Sequence, residues 1–408
     1  MASLRSVLIA AASLVLLAGC DDAETTPAGP TYADGLPAPP AEGQWIEVKP
    51  GGDTVCSRGT EYRFFVRGGD PNKVIVYFEG GGACWNSITC SIADSLFSDG
   101  IAEFDTFVGL VNDGVLGGFF DNSAGRQFAD YTMVYVPYCT GDIHWGNATK
   151  QYTDDLTIEH KGFVNTQAAL NWTYARYAAP QDVMVSGCSA GAYGAALHSA
   201  YIRQQWTTAQ VAVLADSGAG IITEEFLANS LPNWNAETAI PSFIPALNRP
   251  LTELSLADMY IEIGKHFPDV RLAQTGAQYD QDQIFFFSAM GGDEPDWTPA
   301  YRGSLDRIAA EVPNFRYYVP PGSVHCVTPY TYFHSREVGG VGLADWTRDF
   351  VEADALPDNV SCEGAECCND PVCDACAAQA DGEKDVWCRF CDDWVPEWTT
   401  ECNATPAP

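Results

Sequence analysis

Positive charge is scarce in this chain. Its 408 residues include 21 Lys and Arg, only six of them lysine, against 54 Asp and Glu, for a formal net charge of −33. A surface that negative repels phosphate backbones and argues against a nucleic-acid partner. Long hydrophobic runs are also lacking. The most extended one, residues 7–17, is broken at Ser13 and is too short to span a bilayer. The glycine run Gly80-Gly81-Gly82 lacks the Lys-Ser/Thr of a phosphate loop, and there is no dinucleotide fingerprint and no internal repeat in the core. What is plentiful is apolar and aromatic side chain, 46% and 12% of residues, which supports a sizeable core and excludes wholesale disorder. Fifteen cysteines are too many for a reducing compartment and point to disulfides.

The amino-terminal stretch has the pattern of an export signal. Arg5 precedes the apolar run, which ends Leu17-Ala18-Gly19-Cys20. That ending resembles a bacterial lipobox, and the resemblance implies cleavage after residue 19 and lipid attachment at Cys20. Loss of Arg5 with the leader takes the charge to about −34. Residues 20–44, rich in Ala, Pro, Thr and Gly, have the composition of a tether. The expectation is a monomeric cell-envelope lipoprotein, periplasmic or surface-exposed, that touches the membrane only through its anchor.

Residues 45–354 have the composition of a globular domain. Short apolar runs at 73–79, 131–136, 182–186, 211–215 and 315–319 each stop at Gly, Pro or Asp, as strands buried on both faces do. Helical patterns fall at 163–177 and 190–203, while 234–250, with three prolines, is an irregular excursion. The alternation predicts an α/β fold: a mostly parallel sheet flanked by helices, with ligands beyond the carboxyl ends of the strands.

Gly187-Cys188-Ser189-Ala190-Gly191 lies between a predicted strand and an alanine-rich helix. In that context G-x-S-x-G places Ser189 on a tight turn as a nucleophile, with the Ala190 amide facing a developing oxyanion. The glycine run after the 73–79 strand supplies further donors, from Gly82 and Ala83. A base must follow the serine. Of the downstream histidines His198, His266, His325 and His334, His198 sits in the helix directly after the serine, His325 lies in a loop six residues beyond Val319 where a base belongs, and His334, in a Tyr-Phe setting, is the runner-up. Spacing alone leaves the orienting acid open among Asp216, Asp269, Asp280 and Asp282.

These residues resemble the pectin acetylesterase and Notum family of serine carboxylesterases, over roughly residues 59–346. The likeness is carried by VYFEGGGACWNSITC at 76–90, VPYCTGDIHWGN at 136–147, SGCSAGAYG at 186–194 and AQYDQDQI at 277–284, with VHC at 324–326 in support. The resemblance implies an α/β-hydrolase-like fold and an acyl-enzyme mechanism without metal or cofactor. It selects Asp280 as the acid beside Ser189 and His325, with amides of Gly82, Ala83 and Ala190 as the oxyanion hole. Two departures stand out. Ala83 occupies a position where the family usually has tryptophan, and Thr140 replaces an aspartate of the second loop. Both weaken a carry-over of the family's substrate preference, and the negative charge favours a neutral or weakly charged ester. Trp85, Trp145, Phe285 and Tyr330 are aromatic candidates near the site, of which Trp85, Trp145 and Tyr330 are the substrate-binding ones and Phe285 is expected in the core.

Convergence of the serine turn and the histidine loop predicts a Cys188–Cys326 disulfide, with Cα atoms within about 7 Å. Cys56, Cys84, Cys90 and Cys139 should then pair among themselves. Eight further cysteines fall in an acidic module at 355–408. Its two C-x-x-C pairs have zinc-like spacing, but export favours disulfides there. Two other functions use the same residues: a catalytically silent envelope protein that binds through the fold and tail, and an amidase or peptidase with the same machinery.

Overall fold

The computed structural model describes residues 34–93 and 96–368. The leader with Cys20, most of the tether and the C-x-x-C pairs lie outside them. The strands are β1 (Trp45–Val48), β2 (Phe64–Arg67), β3 (Asp70–Phe78), β4 (Tyr131–Val136), β5 (Ala148–Thr153), β6 (Leu156–His160), β7 (Asp182–Cys188), β8 (Gln210–Asp216), β9 (Arg271–Thr275), β10 (Phe315–Val319), β11 (Glu337–Val338), β12 (Val341–Gly342) and β13 (Val360–Ser361). The helices are α1 (Phe104–Asn112), α2 (Gly162–Arg176), α3 (Ala190–Gln205), α4 (Glu224–Asn229), α5 (Leu256–His266), α6 (Gln281–Ala289), α7 (Glu294–Glu311) and α8 (Leu343–Glu352).

Nine strands form one sheet in the order β1-β2-β4-β3-β7-β8-β9-β10-β13. Pairing is antiparallel from β1 to β4 and parallel from there to β13. The expected α/β architecture is therefore present. All six residues of β4 are buried, as are residues 74–78 of β3 and 211–216 of β8, the mark of a sheet covered on both faces. Each fully buried Val, Ile or Phe there contributes about 1.5–3 kcal/mol. The five predicted strands coincide with β3, β4, β7, β8 and β10. The two predicted helices are α2 and α3. The excursion at 234–250 consists of short 3-10 turns.

The chain does not leave this sheet at residue 354. Val360 and Ser361 pair with Tyr318 and Val319 of β10. Beyond them Cys362 bonds to Cys367, and the Gly322 N–H donates to the Cys367 carbonyl at 2.9 Å. The start of the Cys-rich segment is thus joined to the strand and loop that lead to His325.

Candidate functional site

Strand β7 ends at Cys188 and α3 begins at Ala190, so Ser189 alone makes the turn. Its backbone sits at φ 57°, ψ −124°, a conformation that costs a non-glycine residue free energy and recurs at functional sites. The flanking glycines are required by crowding. A Cβ on Gly187 would lie 2.4 Å from the Gly191 carbonyl oxygen, and one on Gly191 would lie 2.1 Å from that of Phe78. The Ser189 N–H donates to the Asp216 carbonyl, which ties the turn to β8.

The glycine loop leaves β3 against this turn; a Cβ on Gly80 would come within 2.9 Å of the Ser189 Cβ. Gly82 has φ +70° and is packed on the Leu96 carbonyl. The Cys84 amide is taken by the Gly141 carbonyl, while Gly82, Ala83 and Ala190 line a cavity together with Ser189 and His325. Tyr138 braces this loop: its hydroxyl donates to the Gly82 carbonyl at 3.0 Å and accepts the Ile143 N–H at 2.8 Å. Its own N–H donates to Glu79, whose carboxyl burial pushes up to about 7.

Asp280 caps the N-terminus of α6, accepting the Gln283 N–H at 3.0 Å and the Gln283 side-chain amide at 2.9 Å. Its two oxygens lie 2.8 and 2.9 Å from His325 Nδ1, which therefore donates to a buried carboxylate and keeps Nε2 as the outward nitrogen. Burial would lower the affinity of His325 for its proton, but Asp280, Asp282 and Asp216 together outweigh it and push its pKa up. Asp282 is exposed, with one oxygen 3.9 Å from Nε2. Asp216 is fully buried and holds the histidine loop from beneath. It accepts the N–H groups of Val327 and Thr328 at 2.7 Å and the Thr328 hydroxyl at 2.9 Å. Asp269 pairs with Arg203 away from the site. His198 bonds to the His144 carbonyl, and His334 to that of Gly117.

Cys188 and Cys326 are bonded, with Cα atoms 5.6 Å apart, so the residues beside Ser189 and His325 are joined covalently. The remaining core cysteines pair as Cys56–Cys139 and Cys84–Cys90. Cys84 and Cys90 approach His160 closely enough to suggest a metal cluster, but their sulfurs are spent on each other.

Two cavities meet at Ser189 and His325. One is narrow, about 70 Å³, and walled by Ala83, Trp85, Ile222, Phe226, Phe286 and Trp297. The other is wide, about 660 Å³, and lined by residues that include Glu79, Tyr135, Asp282, Phe285 and Tyr330. Trp85 and Tyr330 thus face the site. Trp145 does not: it lines a separate hollow with Leu231 and Met259, its indole N–H donating to the Tyr193 carbonyl. Phe285, expected in the core, is exposed on the rim of the wide cavity, because α6 turns that face outward. The Ser189 hydroxyl and His325 share both cavities without a mutual hydrogen bond among the described residues. Such bonds are often long in unliganded sites and tighten around substrate. Tyr138 and Gln283 lie within the 136–147 and 277–284 motifs, but their bracing contacts, like the anchoring role of Asp216, are not legible from spacing.

The pectinacetylesterase family model matches residues 45–233, a span that includes the glycine loop and Ser189 but stops short of Asp280 and His325. Over 150 residues the chain is 26% identical to palmitoleoyl-protein carboxylesterase NOTUM of Schmidtea mediterranea, covering 35% of this chain and 27% of that protein. It is 29% identical over 157 residues to pectin acetylesterase 11 of Arabidopsis thaliana, covering 37% of this chain and 38% of that protein. Pectin acetylesterase 4 of the same plant is 24% identical over 167 residues, 40% of this chain and 39% of that protein. The chain therefore spans well under half the length of the curated relatives it matches. With the nucleophile-type turn, the glycine loop and the α/β sheet in place, residues 45–233 are similar in sequence to the pectinacetylesterase family.

Proposed function

We propose that this protein is an exported serine carboxylesterase that removes short acyl groups from neutral or weakly charged esters through an acyl-enzyme. The observation that carries the reading is a buried Asp280 bonded to His325, whose ring opens on the same cavities as a serine held at positive φ. Ser189 Oγ attacks the ester carbonyl and His325 Nε2 takes its proton. The oxyanion forms toward the amides of Gly82, Ala83 and Ala190. The tetrahedral adduct collapses, Nε2 protonates the departing alcohol, and water repeats the sequence to release the acid. Asp280 holds the tautomer and stabilises the imidazolium.

The narrow apolar cavity suits the acyl group. At about 70 Å³ it is far smaller than the neighbouring cavity of about 660 Å³, which favours a short acyl group. The wide cavity suits the alcohol. Four disulfides among the described residues and the leader ending at Cys20 support export and lipid anchoring. Radiolabelled palmitate incorporated by the wild type and lost in Cys20→Ser would test the anchor.

The decisive test is hydrolysis of chromogenic esters of increasing acyl length by the wild type and by Ser189→Ala. The expected result is a rate that falls beyond four carbons and a loss of at least about a thousandfold in the variant. Equal rates in both proteins would eliminate the mechanism, and sustained turnover of long chains would eliminate the short-acyl assignment.

A further inference from the structure

The wide cavity carries a charge pattern that the catalytic chemistry does not require. Two carboxylates, Glu79 and Asp282, line it, and no Lys or Arg does among the described residues. Their situations differ. Glu79 is committed inward to the Tyr138 N–H. Asp282 is exposed, has no cationic side chain paired with it among the described residues other than His325, and stands 3.9 Å from Nε2. Nε2 is the atom that hands its proton to the departing alcohol oxygen. The alcohol must therefore sit against Nε2, within a few ångströms of the Asp282 carboxylate, whenever the reaction proceeds. Phe285 and Tyr330 border the same space and offer ring faces to the carbon skeleton of a polyol.

We propose, resting on the esterase reading above, that Asp282 determines specificity on the alcohol side: the wide cavity takes neutral or amino-bearing alcohols and rejects those carrying a carboxylate. The alcohol is then a neutral or amino sugar or a similar polyol rather than a uronate. A unit charge several ångströms from Asp282 at the mouth of the cavity changes kcat/KM by about three- to tenfold, with opposite sign for anion and cation. The difference shrinks as salt screens it.

The experiment uses three acetate esters of one methyl galactoside, bearing at C6 a hydroxymethyl, a carboxylate or an aminomethyl group. For the wild type at low ionic strength, the expected order of kcat/KM is amino above neutral above carboxylate. In Asp282→Asn both charge ratios, each normalised to the neutral ester of the same variant, should shrink about three- to tenfold. Normalisation removes the effect of the substitution on His325 itself. Addition of 0.5 M salt should compress the wild-type ratios toward those of the variant. Equal turnover of the three esters by the wild type, or ratios unchanged in Asp282→Asn, would overturn the proposal and leave the esterase intact. Hydrolysis of none of the three, together with inactivity on all chromogenic esters, would instead mark failure of the esterase reading.

Discussion

The Tyr138 hydroxyl donates to the Gly82 carbonyl oxygen at 3.0 Å. That oxygen belongs to the same planar, trans peptide unit as the Ala83 N–H, so fixing one end aims the other toward the cavity. Tyr138→Phe removes the brace and leaves the buried Ile143 N–H without its acceptor. Loss of a whole oxyanion donor costs about a hundred- to a thousandfold in kcat. Misaiming one should cost about tenfold, with KM little changed. Steady-state kinetics and the affinity for a boronate transition-state analogue, expected to weaken in parallel with kcat, check this.

Asp280→Asn keeps the shape of the buried partner but removes its charge. The Asn side chain can offer its amide to Nδ1, which favours the wrong tautomer, and kcat should fall by roughly a hundred- to ten-thousandfold. The sign of the pH effect follows from the raised His325 pKa. Only the neutral ring accepts the serine proton, so activity is lost as pH falls through that pKa. Without the carboxylate the imidazolium is less favoured, and the acid limb of kcat/KM should move to lower pH. A pH–rate profile of the residual activity decides it.

Asp216 bears on the base through the backbone. In Asp216→Asn an amide group replaces one of the carboxylate oxygens: if the amide oxygen faces the loop, three donors from Val327 and Thr328 share a weaker acceptor, and if the NH2 does, they lose it. A buried unsatisfied donor costs about 1–3 kcal/mol. The expected outcome is a Tm lower by several degrees and a kcat reduced more than KM is raised. Thermal melts beside kinetics test it, and an unchanged Tm would contradict the anchoring role.

Removing the Cys188–Cys326 link should separate stability from chemistry. Cys188→Ser with Cys326→Ser is expected to lower stability by about 2–4 kcal/mol. Because the link joins the neighbours of Ser189 and His325, kcat should drop as well. Denaturant titration and kinetics on the double variant, against wild type with and without reductant, check both.

Much of this was legible in the sequence, for physical reasons that differ by element. Strands β3, β4 and β7 stood out because burial on both faces leaves unbroken apolar runs. Ser189 stood out because its turn tolerates only glycine at both sides. Other parts left no such trace. Strand β13 is two residues long and is defined by the edge it joins. Helix α6 reads IFFF in sequence, yet Phe285 faces solvent while Phe287 is buried, a division made by packing rather than composition. Trp145 lies close to the active-site motifs in sequence, but its indole turns to the Tyr193 carbonyl. The acid was undecidable from spacing; the motif resemblance pointed to Asp280, and the fold separates Asp280 beside the imidazole from Asp216 beneath its loop.

The pairing of Val360 and Ser361 with β10, and the bond from Gly322 to Cys367, bear on how this protein can be dissected. Truncation at 354 would strip the sheet of its outer edge and unmoor the segment from which His325 projects. An inactive product would then say nothing about what the acidic appendage recruits. A cut placed after residue 368 preserves that edge, and so separates what the acidic appendage does from the fold that holds Ser189 and His325.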